Sequence, residues 1–256
     1  VLDYYIPKDY EGSVQLEILD ENRRNITTIL SDSTLLKSIA ATEVVNEKEV
    51  EVEVEVEEQE GVSEVTEVED MQLSQIFRYT DDKLSSKPGL HRFYWNLSQR
   101  GAWDKDLKKR YRRGPMVAPG TYIARLTVAG QTLEQPFVVL PDPRITAQGF
   151  TAEDMSAQLA FQNKVIDLLS EAKKLQADLE TEIETLEKSN SNPTRLVEAK
   201  AKLQKLKNNE GAYPQQMLIA QIGYLLNMVS GADQLPGEAA ENRYEALRMQ
   251  LNDLKK

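Results

Sequence analysis

The chain has 256 residues, 29% charged and 40% apolar, with a net charge of −11 and no cysteine. That length supports one large or two ordinary domains, each with its own core. No stretch reaches the ~20 apolar residues of a membrane span, and without cysteine there is no disulfide framework, thiolate nucleophile or Cys-ligated metal. A chain that opens on Val1 rather than Met reads as an excised fragment.

The acidity is local. Residues 43–70 hold twelve Glu, one Asp and one Lys, a net charge of −12 that leaves the rest of the chain near +1. It is therefore no guide to the partners of the whole chain. Composition changes again near Thr151: thirteen of the seventeen aromatics precede it, and Ala, Leu, Gln, Glu and Lys at helical spacing follow it. We expect an α+β chain of two domains, with an antiparallel β-sandwich over 1–143 and a helical bundle over 144–256.

Val14, Leu16 and Ile18 alternate with Gln15 and Glu17, which predicts a strand with one buried face, and Asp20-Glu21-Asn22 supplies a turn. From Val50 to Glu57 valine and glutamate alternate without a fault, and Val62, Val65 and Val68 predict a return strand. The glutamates could gather cations or a basic partner. We read them instead as the solvated outer face of an acidic hairpin inserted at 43–70, because carboxylates along a strand do not converge on an ion.

Phe93 and Trp95 alternate with Arg92, Tyr94 and Asn96, a further strand with a heavy apolar face. From Gln99 to Gly114 periodicity is lost, and Lys105, Lys108, Lys109, Arg110, Arg112 and Arg113 fall within nine residues. A polyanion site with Trp103 and Tyr111 stacking is one reading. A solvated connection whose charge faces the acidic hairpin or a neighbouring domain is the reading we adopt, without a nucleic-acid partner, since one basic run in a near-neutral background is thin support. Trp103, Tyr111, Lys108, Arg110 and Arg112 are accordingly the candidate ligand or partner contacts.

Pro119-Gly120 launches Tyr122, Ala124, Leu126 and Val128 on one strand face, and Ala129-Gly130-Gln131 turns the chain back toward 137–140. Pro136 marks the return strand as an edge or a bulge. Short strands punctuated by turns imply a sandwich of immunoglobulin type. Pro141-Asp142-Pro143 then reads as a stiff linker.

Four helices are predicted beyond it. The first begins at the Thr151/Asp154 capping pair and runs to about Lys188; the second starts at Asn192-Pro193 and ends near Gly211. The third carries Leu218, Ile222, Leu225 and Val229 and closes at Gly231; the fourth follows Pro236-Gly237 and carries Ala240, Tyr244, Leu247, Leu251 and Leu254. Short connections make this an antiparallel four-helix bundle. The single His91 lacks a second His, a Cys or a Gly-flanked Ser, so we read it as structural. No phosphate-binding glycine loop is present, and neither a catalytic, cofactor nor metal residue is assigned.

Gly-Leu-His-Arg-Phe-Tyr-Trp-Asn-Leu at 89–97, Ala-Pro-Gly-Thr-Tyr-Ile-Ala-Arg-Leu-Thr-Val at 118–128 and Asp-Pro-Arg at 142–144 resemble the C-terminal region of large bacterial BNR-repeat, sortilin-like proteins often labelled glycosyl hydrolases. Tyr4-Tyr5-Ile6-Pro7, residues 14–20 and residues 118–122 are similar to the Ig-like domain of flagellar hook-capping proteins. The resemblance covers roughly 1–144, apart from the acidic insertion, and is looser over the helices. It implies an N-terminal β-propeller in the same polypeptide, a periplasmic or extracellular location, and any hydrolase site on the propeller. It leaves this chain a non-catalytic accessory region that contacts protein, or alternatively a carbohydrate-binding module.

Overall fold

A computed structural model describes residues 1–31, 83–106, 109, 114–128, 130–189, 191–208 and 215–256. They form an α+β protein with strands β1 (Leu2–Ile6), β2 (Val14–Asp20), β3 (Asn25–Leu30), β4 (Gly89–Phe93), β5 (Gly120–Val128) and β6 (Gln131–Val139). Helices α1 (Pro143–Thr146), α2 (Ala152–Ser189), α3 (Pro193–Leu206), α4 (Leu218–Ser230) and α5 (Glu238–Lys255) follow. The strands make two antiparallel sheets, one pairing β1 with β4 and one ordered β3-β2-β5-β6. The expected acidic hairpin at 43–70 lies outside the described residues.

Val14, Leu16 and Ile18 are buried on the inward face of β2, as alternation predicts. Leu19 is buried as well, because the register with β3 shifts between Ile18 and Leu19, and a bulge turns two successive side chains inward. In the turn that follows, one carboxylate oxygen of Asp20 accepts from the Asn22 and Arg24 amides at 2.9 and 2.8 Å. Arg23 adopts the left-handed conformation there, with φ 63°.

The strand read through Trp95 is shorter than alternation implies. β4 ends at Phe93, and at Leu97 the chain takes φ 61° and turns. Alternation persists in sequence beyond the point where neighbouring backbone stops pairing, so periodicity overshoots. Gly130, at φ 73°, supplies the positive φ of the β5–β6 turn. β6 is an edge strand, as Pro136 required, and is exposed from Gln131 through Pro136.

After β6 the Pro-Asp-Pro stretch does more than stiffen a linker. Asp142 caps α1, its side chain accepting from the Arg144 amide at 2.9 Å, and Pro143 takes the first turn, where its missing N–H costs nothing. At the start of α2 the expected reciprocal cap is present: the Asp154 amide donates to Thr151 Oγ1 at 3.2 Å, and the Thr151 amide donates to the Asp154 carboxylate at 2.9 Å. α2 spans 38 residues, about 57 Å at 1.5 Å per residue. Asn192, at φ 50°, caps α3 by accepting from the Arg195 amide at 3.1 Å. α3 stops at Leu206, where Lys207 becomes extended; Gly211, expected to cap it, lies outside the described residues.

Residues of α2, α3, α4 and α5 share one apolar cluster, in which Val165, Ala172, Ala199, Leu206, Ile222, Leu247 and Leu251 are fully enclosed. Two buried glutamines lie beside it. Gln158 Nε2 donates to the Val229 and Ala232 carbonyls at 3.0 and 2.6 Å, and Gln162 Nε2 donates to the Val229 carbonyl at 3.0 Å. The last carbonyls of a helix have no partner within it, so these two amides satisfy the end of α4 from α2.

Contacts divide the chain into two compact units, Val1–Asn96 with Ile123–Gln135 and Leu97–Tyr122 with Pro136–Lys256. The segment between β4 and β5 thus belongs to the same unit as the helices.

Candidate contact loop

The segment from Leu97 to Val117 leaves and re-enters its base as a narrow pair. The Val117 amide donates to the Leu97 carbonyl at 2.8 Å and the Gln99 amide to the Pro115 carbonyl at 3.0 Å, with Ser98 bridged to Met116. Gly114 makes this closure possible. A Cβ there would lie 2.1 Å from the Gln99 carbonyl oxygen and 2.5 Å from the Arg100 backbone, closer than any side chain can approach.

Above the base the loop is fastened to α2. Gln99 Nε2 donates to Asn163 Oδ1 at 3.0 Å, and Ala102 packs against the helical core. The Trp103 amide donates to Ser170 Oγ at 2.9 Å, and Ser170 in turn donates to the Ile166 carbonyl at 2.8 Å. Asp104 meets Lys173 at 2.7 Å with both side chains mostly shielded from solvent. Burial works against ionisation of Asp104, but the Lys173 ammonium and the Asp106 amide outweigh it and hold the carboxyl below its ordinary range.

Asp104, Lys105, Lys173, Gln176, Ala177 and Glu180 line a polar cleft of about 130 Å³. Its charges are matched locally. Glu180 accepts from Gln176 at 2.8 Å and faces Lys105 at 3.7 Å and Lys207 at 3.8 Å, which joins the loop to the segment after α3. Such an arrangement fixes a loop on a helix. It resembles an electrostatic clamp more than a centre that shifts a proton or holds a substrate, since each charge already has an opposite neighbour.

Of the candidate contacts, Trp103 is half-buried, and its backbone amide is committed to Ser170 of α2. Tyr111, Lys108, Arg110 and Arg112 lie outside the described residues. Lys105 and Lys109 of the same basic run are described, and both are exposed, at 65% and 73% of the side chain. The residues that periodicity missed are Lys173, Gln176 and Glu180. Their spacing of three and four places them on one helix face, but polar residues at that spacing are common on the solvated side of any amphipathic helix and do not stand out beside its apolar stripe.

His91 sits in β4 with its ring 5.2 Å from that of Tyr4, and Nε2 donates to the Lys87 carbonyl at 2.6 Å. The Tyr4 hydroxyl donates to the Ser85 carbonyl at 2.9 Å and accepts from the Ser85 amide at 2.8 Å. The ring and phenol thereby pin 85–87 to β1 and β4, a structural use of both side chains. Among the described residues no group of three or more His, Asp or Glu side chains is placed to hold a metal ion, and no helix among them is long and apolar enough to cross a membrane. Compared with models of protein families, with curated proteins and with solved structures, the chain matches none.

Proposed function

We propose that this chain is a non-catalytic accessory region of a larger secreted, periplasmic or extracellular polypeptide, and that it works by holding a protein neighbour. In this reading the two sheets close as an immunoglobulin-like sandwich and α2 to α5 act as an antiparallel four-helix bundle. The neighbour is an N-terminal β-propeller of the same polypeptide, as the resemblance of 89–97, 118–128 and 142–144 implies. The observation that carries the reading is the fastening of 97–117 to α2. A loop closed by Gly114 and clamped through Asp104–Lys173 and Trp103–Ser170 offers the exposed Lys105 and Lys109 from a rigid base, and pre-organisation of that kind lowers the entropy lost on binding.

Two measurements test it. The coding sequence upstream of Val1 is expected to hold propeller repeats of ~40–45 residues. Residues 1–256, mixed with that upstream region produced separately, are expected to associate in calorimetry, and the double substitution Lys105→Glu, Lys109→Glu should weaken association about tenfold or more, given the loss of steering and rim contacts. Absence of such repeats together with absence of association sinks the proposal. Specific hits on a glycan array would instead point to a carbohydrate-binding module.

A further inference from the structure

We draw no further inference here: the strongest candidate, the outward face of α4, where Tyr224 and Met228 stand exposed one turn apart on a helix carrying no charged residue, is an unpartnered apolar face, and nothing in the structure shows what covers it.

Discussion

Gly114 is the residue on which the loop depends most directly. Gly114→Ala sets a methyl group against backbone, which cannot rotate away, so the loop base must shift, and a loss of about 1–3 kcal/mol is expected. Gly149 provides the comparison. It has φ 91° but nothing within 4 Å of its would-be Cβ, so Gly149→Ala should cost only the ~1–2 kcal/mol of a left-handed conformation. Urea unfolding of both variants, followed by tryptophan fluorescence, distinguishes them: a displaced loop base changes the folded-state emission of Trp103 in the first variant and leaves it unchanged in the second. At Gln158 the argument concerns satisfaction rather than space. Gln158→Leu keeps the volume roughly but leaves the Ala232 carbonyl without its buried donor, and a penalty of ~1–3 kcal/mol follows. Equal stability of variant and parent would show that water replaces the amide. Asp104 adds a pH signature. Its carboxyl ionises more readily in the folded chain than in the unfolded one, so its stabilising share is present above the ordinary carboxylate range and fades as pH falls through the lowered value. Asp104→Asn is therefore expected to lose about 1 kcal/mol at neutral pH and progressively less as the pH falls below the ordinary carboxylate range, measured by the same unfolding series.

At the scale of elements, α2 is two different helices in one. Its buried positions run from Gln158 to Leu179, and none follows in the last ten residues. Beyond Leu179 the helix is joined to α3 by Glu182–Arg195 and Glu187–Lys200, with Ile183 partly packed. Exposed ion pairs contribute little each and are screened by salt. Amide exchange should accordingly be slowest between 158 and 179 and markedly faster between 183 and 198, and 1 M salt should widen the gap by accelerating the second region. Uniform protection along α2, unaffected by salt, would refute this partition. The same reasoning explains why Asn192 matters. It reverses the chain between α2 and α3, and Asn192→Ala removes the cap and puts at φ 50° a residue without the polar side chain that lets Asn tolerate the left-handed region, for an expected loss of about 1–2 kcal/mol concentrated in α3.

For the whole molecule, the carboxylates perturbed in one direction predominate. Asp142 is drawn down to about 2 by hydrogen bonds from the Arg144 side chain and amide. Arg92 and Lys188 hold Asp3 and Glu184 below their ordinary range through side-chain hydrogen bonds, and Arg195 does the same for Glu182. For Asp20 burial acts the other way and is outweighed by the Arg24 and Asn22 amides and the Arg24 side chain. Each group binds its proton less readily when folded, so the unfolded chain takes up more protons on acidification and stability falls. Thermal unfolding measured across pH should be flat from neutrality to about pH 5 and decline below pH 4, toward the value near 2 at which Asp142 titrates. A melting temperature that rises on acidification would contradict the ion-pair assignments.

Amphipathic spacing and caps are local properties, and they were legible. Leu159, Ile166, Leu169 and Leu175 announce α2, and Thr151/Asp154 and Asn192-Pro193 mark helix starts, because a helix forms its hydrogen bonds within its own segment. β2, the Asp20 turn and the edge position of Pro136 were legible for the same reason. β1 and β3 were not read, since five or six residues carry too few alternations and a strand exists only where distant backbone pairs with it. The loop from Gln99 to Gly114 was legible as a loop, but its attachment to α2 was not. Nothing near Trp103 or Asp104 in sequence announces Ser170 or Lys173, which lie 67 and 69 residues away among polar helix positions. The sequence by itself thus determined the four longer helices, the Asp20 and Gly130 turns and where the basic residues fall along the chain. Only the tertiary structure decided that Trp103 and Asp104 are bound to α2, because those contacts, Trp103 to Ser170 and Asp104 to Lys173, exist between residues that meet only after folding.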